Sequence, residues 1–183
     1  VGHRIFGENK IQEMSQKQEQ LPKDIQWHMI GHVQRNKVKY MASYVSLIHG
    51  VDSLKLLKEI NKQALKNERV IDCLLQVHIA QESSKFGFDG NEIATVFAEL
   101  DLHPLPNIRV VGLMGMASFT ENIEQVKEEF LSLKKIYDTY QSSQKISVLS
   151  MGMSGDYELA IECGSNMIRV GSRIFGERNT PPQ

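Results

Sequence analysis

Short apolar segments alternate with longer amphipathic ones along this chain. Seven of the short segments predict strands, at 4–7, 25–30, 44–49, 71–79, 108–114, 146–151 and 167–175. Several are apolar on both faces, as in Cys73-Leu74-Leu75 and Val110-Val111-Gly112-Leu113-Met114. Strands covered on both sides belong to parallel sheets.

Between the strands lie helical patterns. Ile123, Val126, Phe130, Leu133, Tyr137 and Tyr140 recur at intervals of 3 and 4, one apolar stripe on a helix with a Lys/Glu outer face. Leu54, Leu57, Ile60 and Ala64 form a second stripe, with Asp52 as the expected N-cap. The polar segment 8–21 is a weaker helix, and 156–163 a short one.

Regular strand–helix alternation predicts a parallel sheet with its helices outside. A doubly wound open sheet would place a glycine fingerprint after its first strand, and none is present. The expectation is therefore an α/β, parallel (β/α)8 TIM-type barrel that lacks its first strand–helix unit. Seven strands are one short of closure, and 183 residues fall below the roughly 200 of such barrels. The chain opens on Val1, directly before a strand, so a missing N-terminal segment is expected. Residues 1–178 read as one incomplete barrel domain and 179–183 as a tail. Gly2–Glu8 echoes Gly171–Glu177 at six of seven positions, the kind of relic that an internal duplication leaves, although nothing else repeats at this period.

Composition narrows the function classes. An apolar share of 41% and a charged share of 23% are ordinary for a globular domain. A net charge of −1 gives no electrostatic case for nucleic acid or an anionic membrane. Arg35, Lys37 and Lys39 read as a solvated helix face. Cys73 and Cys163 have no metal-ligand spacing and read as buried reduced thiols of a cytoplasmic protein. No signal peptide or membrane-length apolar run is visible. His28 and His32 lack a zinc motif, and His49 and His78 read as satisfying local hydrogen bonds.

The active side of a parallel barrel is the C-terminal end of its strands, so candidate chemistry sits just after each one. Two groups stand out. Met151-Gly152-Met153-Ser154-Gly155-Asp156 offers glycines that let backbone N–H groups approach an anion, and a hydroxyl to join them. Arg169-Val170-Gly171-Ser172 places a guanidinium inside an apolar strand, where it needs a partner or the barrel mouth. Both follow the last two strands, where barrels commonly bind phosphate. Lys85 lies in a strand-to-helix loop on the same side.

Several blocks together resemble the pyridoxal phosphate homeostasis proteins, the PROSC-like family. They are Phe6-Gly7-Glu8-Asn9, Trp27-His28-Met29-Ile30-Gly31-His32-Val33-Gln34-Arg35-Asn36-Lys37, Leu149 to Asp156, and Arg169-Val170-Gly171 to Arg178. The last block is shared with the alanine racemase N-terminal barrel. The resemblance implies pyridoxal 5′-phosphate (PLP) as cofactor. Arg169 would face the pyridine nitrogen, and Ser154, Gly171 and Ser172 would bind the phosphate. Asn9 would lie beside the ring, and Lys85 would be an auxiliary amine. The sequence departs from the family at Gly155, usually aspartate, and at Asn166, usually threonine. The family's Schiff-base lysine, in a valine–serine–lysine stretch of the first strand, has no match here.

The resemblance thus implies a non-enzymatic PLP-binding protein that buffers the cofactor or delivers it to PLP-dependent apo-enzymes. A PLP-dependent amino-acid racemase is the alternative. Racemisation needs a base and an acid on opposite faces of the substrate carbon. Racemases bring the second group from a further β domain that this chain is expected to lack.

Overall fold

The computed structural model describes residues 2–82 and 86–176. Its strands are β1 (Ile5–Glu8), β2 (Gln26–Met29), β3 (Val45–Val51), β4 (Ile71–Gln76), β5 (Ile108–Met114), β6 (Val148–Met153) and β7 (Met167–Arg169). They form one sheet in sequential order, every pair parallel. Sequential order with helical crossovers is barrel topology, which bears out the α/β-barrel expectation. Among the described residues β1 and β7 pair only with β2 and β6, so the ring has a seam there.

The helices are α1 (Ile11–Gln20), α2 (Leu54–Lys66), α3 (Glu92–Leu102), α4 (Ile123–Tyr140), α5 (Tyr157–Glu162) and α6 (Ser172–Phe175), with a 3-10 helix at Arg35–Tyr40. The α4 bounds match its apolar stripe from end to end. The stripe buries Val126, Phe130, Leu133 and Tyr137 against the sheet. In α2, Leu56, Leu57, Ile60 and Ala64 are buried. Each leucine so covered contributes about 2 kcal/mol.

Four expectations need correction. The N-cap of α2 is Ser53, whose side chain accepts from the Leu56 N–H, and Asp52 is free for other work. β4 ends at Gln76, not at Ile79: Val77 N–H makes the last bond to β5, at the Met114 carbonyl, and Val77 bridges on its other side to Phe88. Helix α3 is absent from the segments that the pattern predicts, and Ile93, Val96 and Phe97 are its buried face. Its entry is a polar turn in which the Asp89 carboxylate accepts from Asn91 N–H and Glu92 from Asp89 N–H. The last strand stops at Arg169, and Ser172–Phe175 are helical instead. The Gly171 carbonyl accepts from the N–H groups of both Ile174 and Phe175, which closes a helical turn. Ile174 and Phe175 remain exposed, so no apolar burial holds them extended.

Two apolar regions result. The large one lies between the sheet and the outer helices. The small one consists of Leu47, Leu74 and Met114, with Val111, Met116, Val148 and Met167 packed on it. These residues come from neighbouring and non-neighbouring strands alike, so the small cluster is the ring interior. It forms the floor beneath the site.

Candidate functional site

Two residues beyond the interior apolar positions, toward the strand ends, the same faces turn polar. Leu47 gives way to His49, Leu74 to Gln76, Val148 to Ser150 and Met167 to Arg169. Side chains two apart on a strand share a face, so this is a polar layer stacked on an apolar one. Three of its members, Arg169, Ser150 and His49, form a hydrogen-bond chain that continues to His28 of β2. Arg169 Nη1 donates to Ser150 Oγ at 2.7 Å, and Nη2 to the Gly115 carbonyl at 3.1 Å. His49 Nδ1 lies 3.1 Å from Ser150 Oγ, and His49 Nε2 lies 3.1 Å from His28 Nδ1. Strands β3 and β6 are not sheet neighbours, so the His49–Ser150 contact crosses the ring.

Burial sets the charges of this layer. It lowers the Arg169 guanidinium to about 10, partly opposed by Asp156, and the group stays cationic at neutral pH. It lowers His28 to about 4 against the pull of Asp72. His49 is driven well below its ordinary value by burial, then by Arg169 and His28. Both imidazoles are therefore neutral beside one fixed cation.

Above the layer, the loops after β6 and β7 meet. Ser154 Oγ accepts from the Gly171 N–H at 3.1 Å. The β6 loop is held in shape by Met153 N–H donating to Asp156 at 2.6 Å and by Gly152 at φ +96°. A Cβ at Gly152 would meet the Ala160 Cβ at 2.6 Å, so the turn requires glycine. At Gly155 and Gly171 a Cβ would meet nothing within 4 Å, so open space lies over both. Ser172 opens α6 and is exposed. Ser154, Arg169, Gly171 and Ser172 are thus brought to adjacent strand ends. Asn9 lies exposed after β1, its carbonyl packed so tightly against Gly31 that a Cβ there would approach to 2.3 Å. Lys85 lies outside the described residues.

The mouth has further polar contacts. His32 Nδ1 is 3.3 Å from Asp52, and the Phe86 ring stacks on His32 at 3.9 Å. Gln76 donates to the Phe86 carbonyl at 2.9 Å. Outside the ring, the Glu129 carboxylate of α4 accepts from Ser118 N–H and Oγ, from Gln81 N–H and from Gln125. It ties the loops after β4 and β5 together. Burial pushes this carboxyl up, but the four donors more than offset it and hold it below the usual range. Asn166 completes the sheet, its amide accepting from Leu149 N–H and donating to the Ser147 carbonyl.

Sequence reasoning missed His28, His49 and Ser150. The signal was the repeated apolar-then-polar pair at the strand ends, which shows only when strands are compared with each other. No cluster of three or more metal-ligating side chains occurs among the described residues. A cavity of about 500 Å³, lined by His78, Asp89, Ser132 and Lys135 among others, opens against α4. Helices lie outside the ring, and this cavity shares no residue with the strand-end cluster.

A parallel barrel with a half-buried arginine on its last strand and a glycine–serine cradle beside it is the barrel of the alanine racemase class. The family model of the alanine racemase N-terminal domain matches residues 1–179. Among curated relatives, the pyridoxal phosphate homeostasis protein of Aquifex aeolicus is 42% identical over 180 residues, 97% of this chain and 78% of that protein. That of Helicobacter pylori strain 26695 is 38% identical over 178 residues, 95% of this chain and 78% of that protein. The chain belongs to the pyridoxal phosphate homeostasis protein family. The structure of PipY from Synechococcus elongatus with PLP bound superposes with a TM-score of 0.82 at 32% identity, over 96% of this chain and 82% of that one. Alanine racemase of Clostridium difficile shares the fold at 15% identity, with a TM-score of 0.70, over 96% of this chain and 46% of its own.

Proposed function

We propose that this chain binds pyridoxal 5′-phosphate at the strand ends and holds it for buffering or for delivery to apo-enzymes inside the cell, without turning over a substrate. The observation that carries this is the anchoring of Arg169. Its guanidinium is fixed by Ser150 and the Gly115 carbonyl, and Arg169 and Ser150 lie on β7 and β6, the same two strands whose ends carry the Ser154–Gly171 contact. The donor set fits the cofactor: hydroxyls of Ser154 and Ser172 and backbone N–H groups for a phosphate, and a cation for a ring nitrogen. The open space over Gly155 and Gly171 leaves room for it. PLP-bound PipY and the names of the relatives support the same ligand. Asn9 is proposed to flank the ring, and Lys85 to supply an amine from the loop after β4.

In enzymes, PLP supplies an electron sink whose strength depends on a protonated ring nitrogen. Arg169 cannot give up its proton near neutral pH, and a cation beside the nitrogen opposes protonation there. The residue that helps retain the ligand thus also weakens it as a sink. The test uses PLP-loaded protein. Absorbance titration should show saturable binding that Arg169→Gln weakens. A chiral assay with several amino acids should show no steady turnover. Multiple turnovers abolished by Arg169→Gln would instead make the chain a racemase.

A further inference from the structure

The contacts inside the ring fix more than positions. A guanidinium only donates, so Ser150 Oγ must accept from Arg169 Nη1. The serine hydroxyl has one hydrogen left, and His49 Nδ1 is its other partner. Ser150 has no solvent exposure, so a reversed serine would leave a buried hydroxyl hydrogen without an acceptor. Nδ1 of His49 is therefore the acceptor, and its neutral ring carries the proton on Nε2. That N–H donates to His28 Nδ1 at 3.1 Å. His28, in turn, carries its proton on Nε2. Every donor in the chain points away from the guanidinium, from β7 through β6 and β3 to β2.

We infer that His28, His49 and Ser150 are positioning residues, a buried hydrogen-bond chain of one proton direction that aims the Arg169 guanidinium and keeps both imidazoles uncharged beside it. The direction follows from the chemistry of the groups and does not depend on the ligand. Its consequence for the ligand rests on the PLP reading above. A guanidinium held on two sides meets its ligand in one orientation, while one released by Ser150 can swing. The charged groups acting on the chain are Arg169 itself, Asp72 near His28 and Asp156 near Arg169.

Nitrogen-15 NMR of the ligand-free chain tests the direction. Both rings should show the neutral tautomer protonated on Nε2, from pH 8 down to about pH 5.5. Ser150→Ala should move the guanidinium resonances of Arg169 and raise the dissociation constant for PLP about tenfold. Affinity for inorganic phosphate should stay the same. His49→Leu should act like Ser150→Ala. His49→Asn, whose carboxamide oxygen can accept from Ser150, should restore most of the loss. A proton on Nδ1 of either ring, or Arg169 resonances unmoved by Ser150→Ala, would overturn the inference. Equal loss of PLP and phosphate affinity in Ser150→Ala would also overturn it, because the effect would then be general unfolding of the site. If the wild-type chain bound no PLP yet showed the expected tautomers and the Arg169 shift, the PLP reading would fail and the proton direction would stand.

Discussion

His49 and Ser150 stand 101 positions apart in sequence and 3.1 Å apart across the ring, joined by a buried hydrogen bond. Only closure of the sheet toward a barrel brings those two strands face to face. The contact therefore reports on tertiary structure at a single point, and several measurable consequences follow from its surroundings.

Acid should destabilise the protein before its carboxylates titrate. His28 has its folded-state value lowered to about 4, against 6.5 ordinarily. The unfolded chain binds that proton first, so stability is full above about pH 6.5 and falls as the pH drops toward 4. Over that window His28 alone would remove about 3 kcal/mol. Urea midpoints at pH 7.5, 6 and 4.5 should decline stepwise. A flat series would falsify the neutral, buried assignment.

Glu129 should be costly to replace. Removing its charge leaves the Ser118 N–H and hydroxyl without their acceptor and leaves the Gln81 N–H only Ser118 Oγ. Glu129→Ala should cost about 3 kcal/mol, as expected for a buried charged acceptor with several donors. Because its folded-state value lies below the ordinary one, its contribution is present above about pH 4.5 and lost below that. Chemical denaturation at pH 7 reads the loss, and a change under 1 kcal/mol would contradict the clamp.

Two nearby glycines should respond unequally to alanine. Gly152→Ala places a Cβ 2.6 Å from Ala160 at φ +96°, and should lower the melting temperature by about 6 °C for a loss of about 2 kcal/mol. Gly155→Ala meets nothing within 4 Å and should leave the melting temperature nearly unchanged. Thermal melts of the two variants side by side decide the matter. Equal effects would mean that the loop does not hold its shape.

Neither cysteine should react in the folded state. Cys73 has no exposure and Cys163 is buried, and burial pushes both thiols up, away from the reactive thiolate. A colourimetric thiol reagent should label neither within the time that denatured protein is labelled fully. Rapid labelling of either one in native buffer would show that its surroundings open.

Most of the barrel was legible from one chain because strand burial on two faces and helix stripes are local signals. The α4 stripe located its helix from Ile123 to Tyr140. Arg169 was legible as a site residue because a guanidinium in an apolar strand has few explanations. The failures were of two kinds. Helix α3 went unseen because its stripe is short. His49 looked like a residue satisfied locally, yet its partners come from β2 and β6, and nothing near it in sequence announces them.

One sequence appears twice with two outcomes. Arg4-Ile5-Phe6-Gly7-Glu8 leads into and forms strand β1, whereas Arg173-Ile174-Phe175, in the matching block, lies in helical α6. Ile5 and Phe6 have a parallel partner in β2, with Phe6 against Trp27. Their counterparts have no ladder partner among the described residues, and the Gly171 turn takes them. The context decides, and the echo alone gives no support to duplication.

The two storeys of the ring interior suggest how such a barrel can change ligands without losing its fold. Leu47, Leu74, Met114, Val148 and Met167 carry the apolar floor, and positions 49, 76, 150 and 169 carry the polar layer above it. A library varied only at the upper four positions would draw its binding diversity from residues that the foundation does not need. In evolutionary language, recognition can drift on one storey while selection for stability acts on the other.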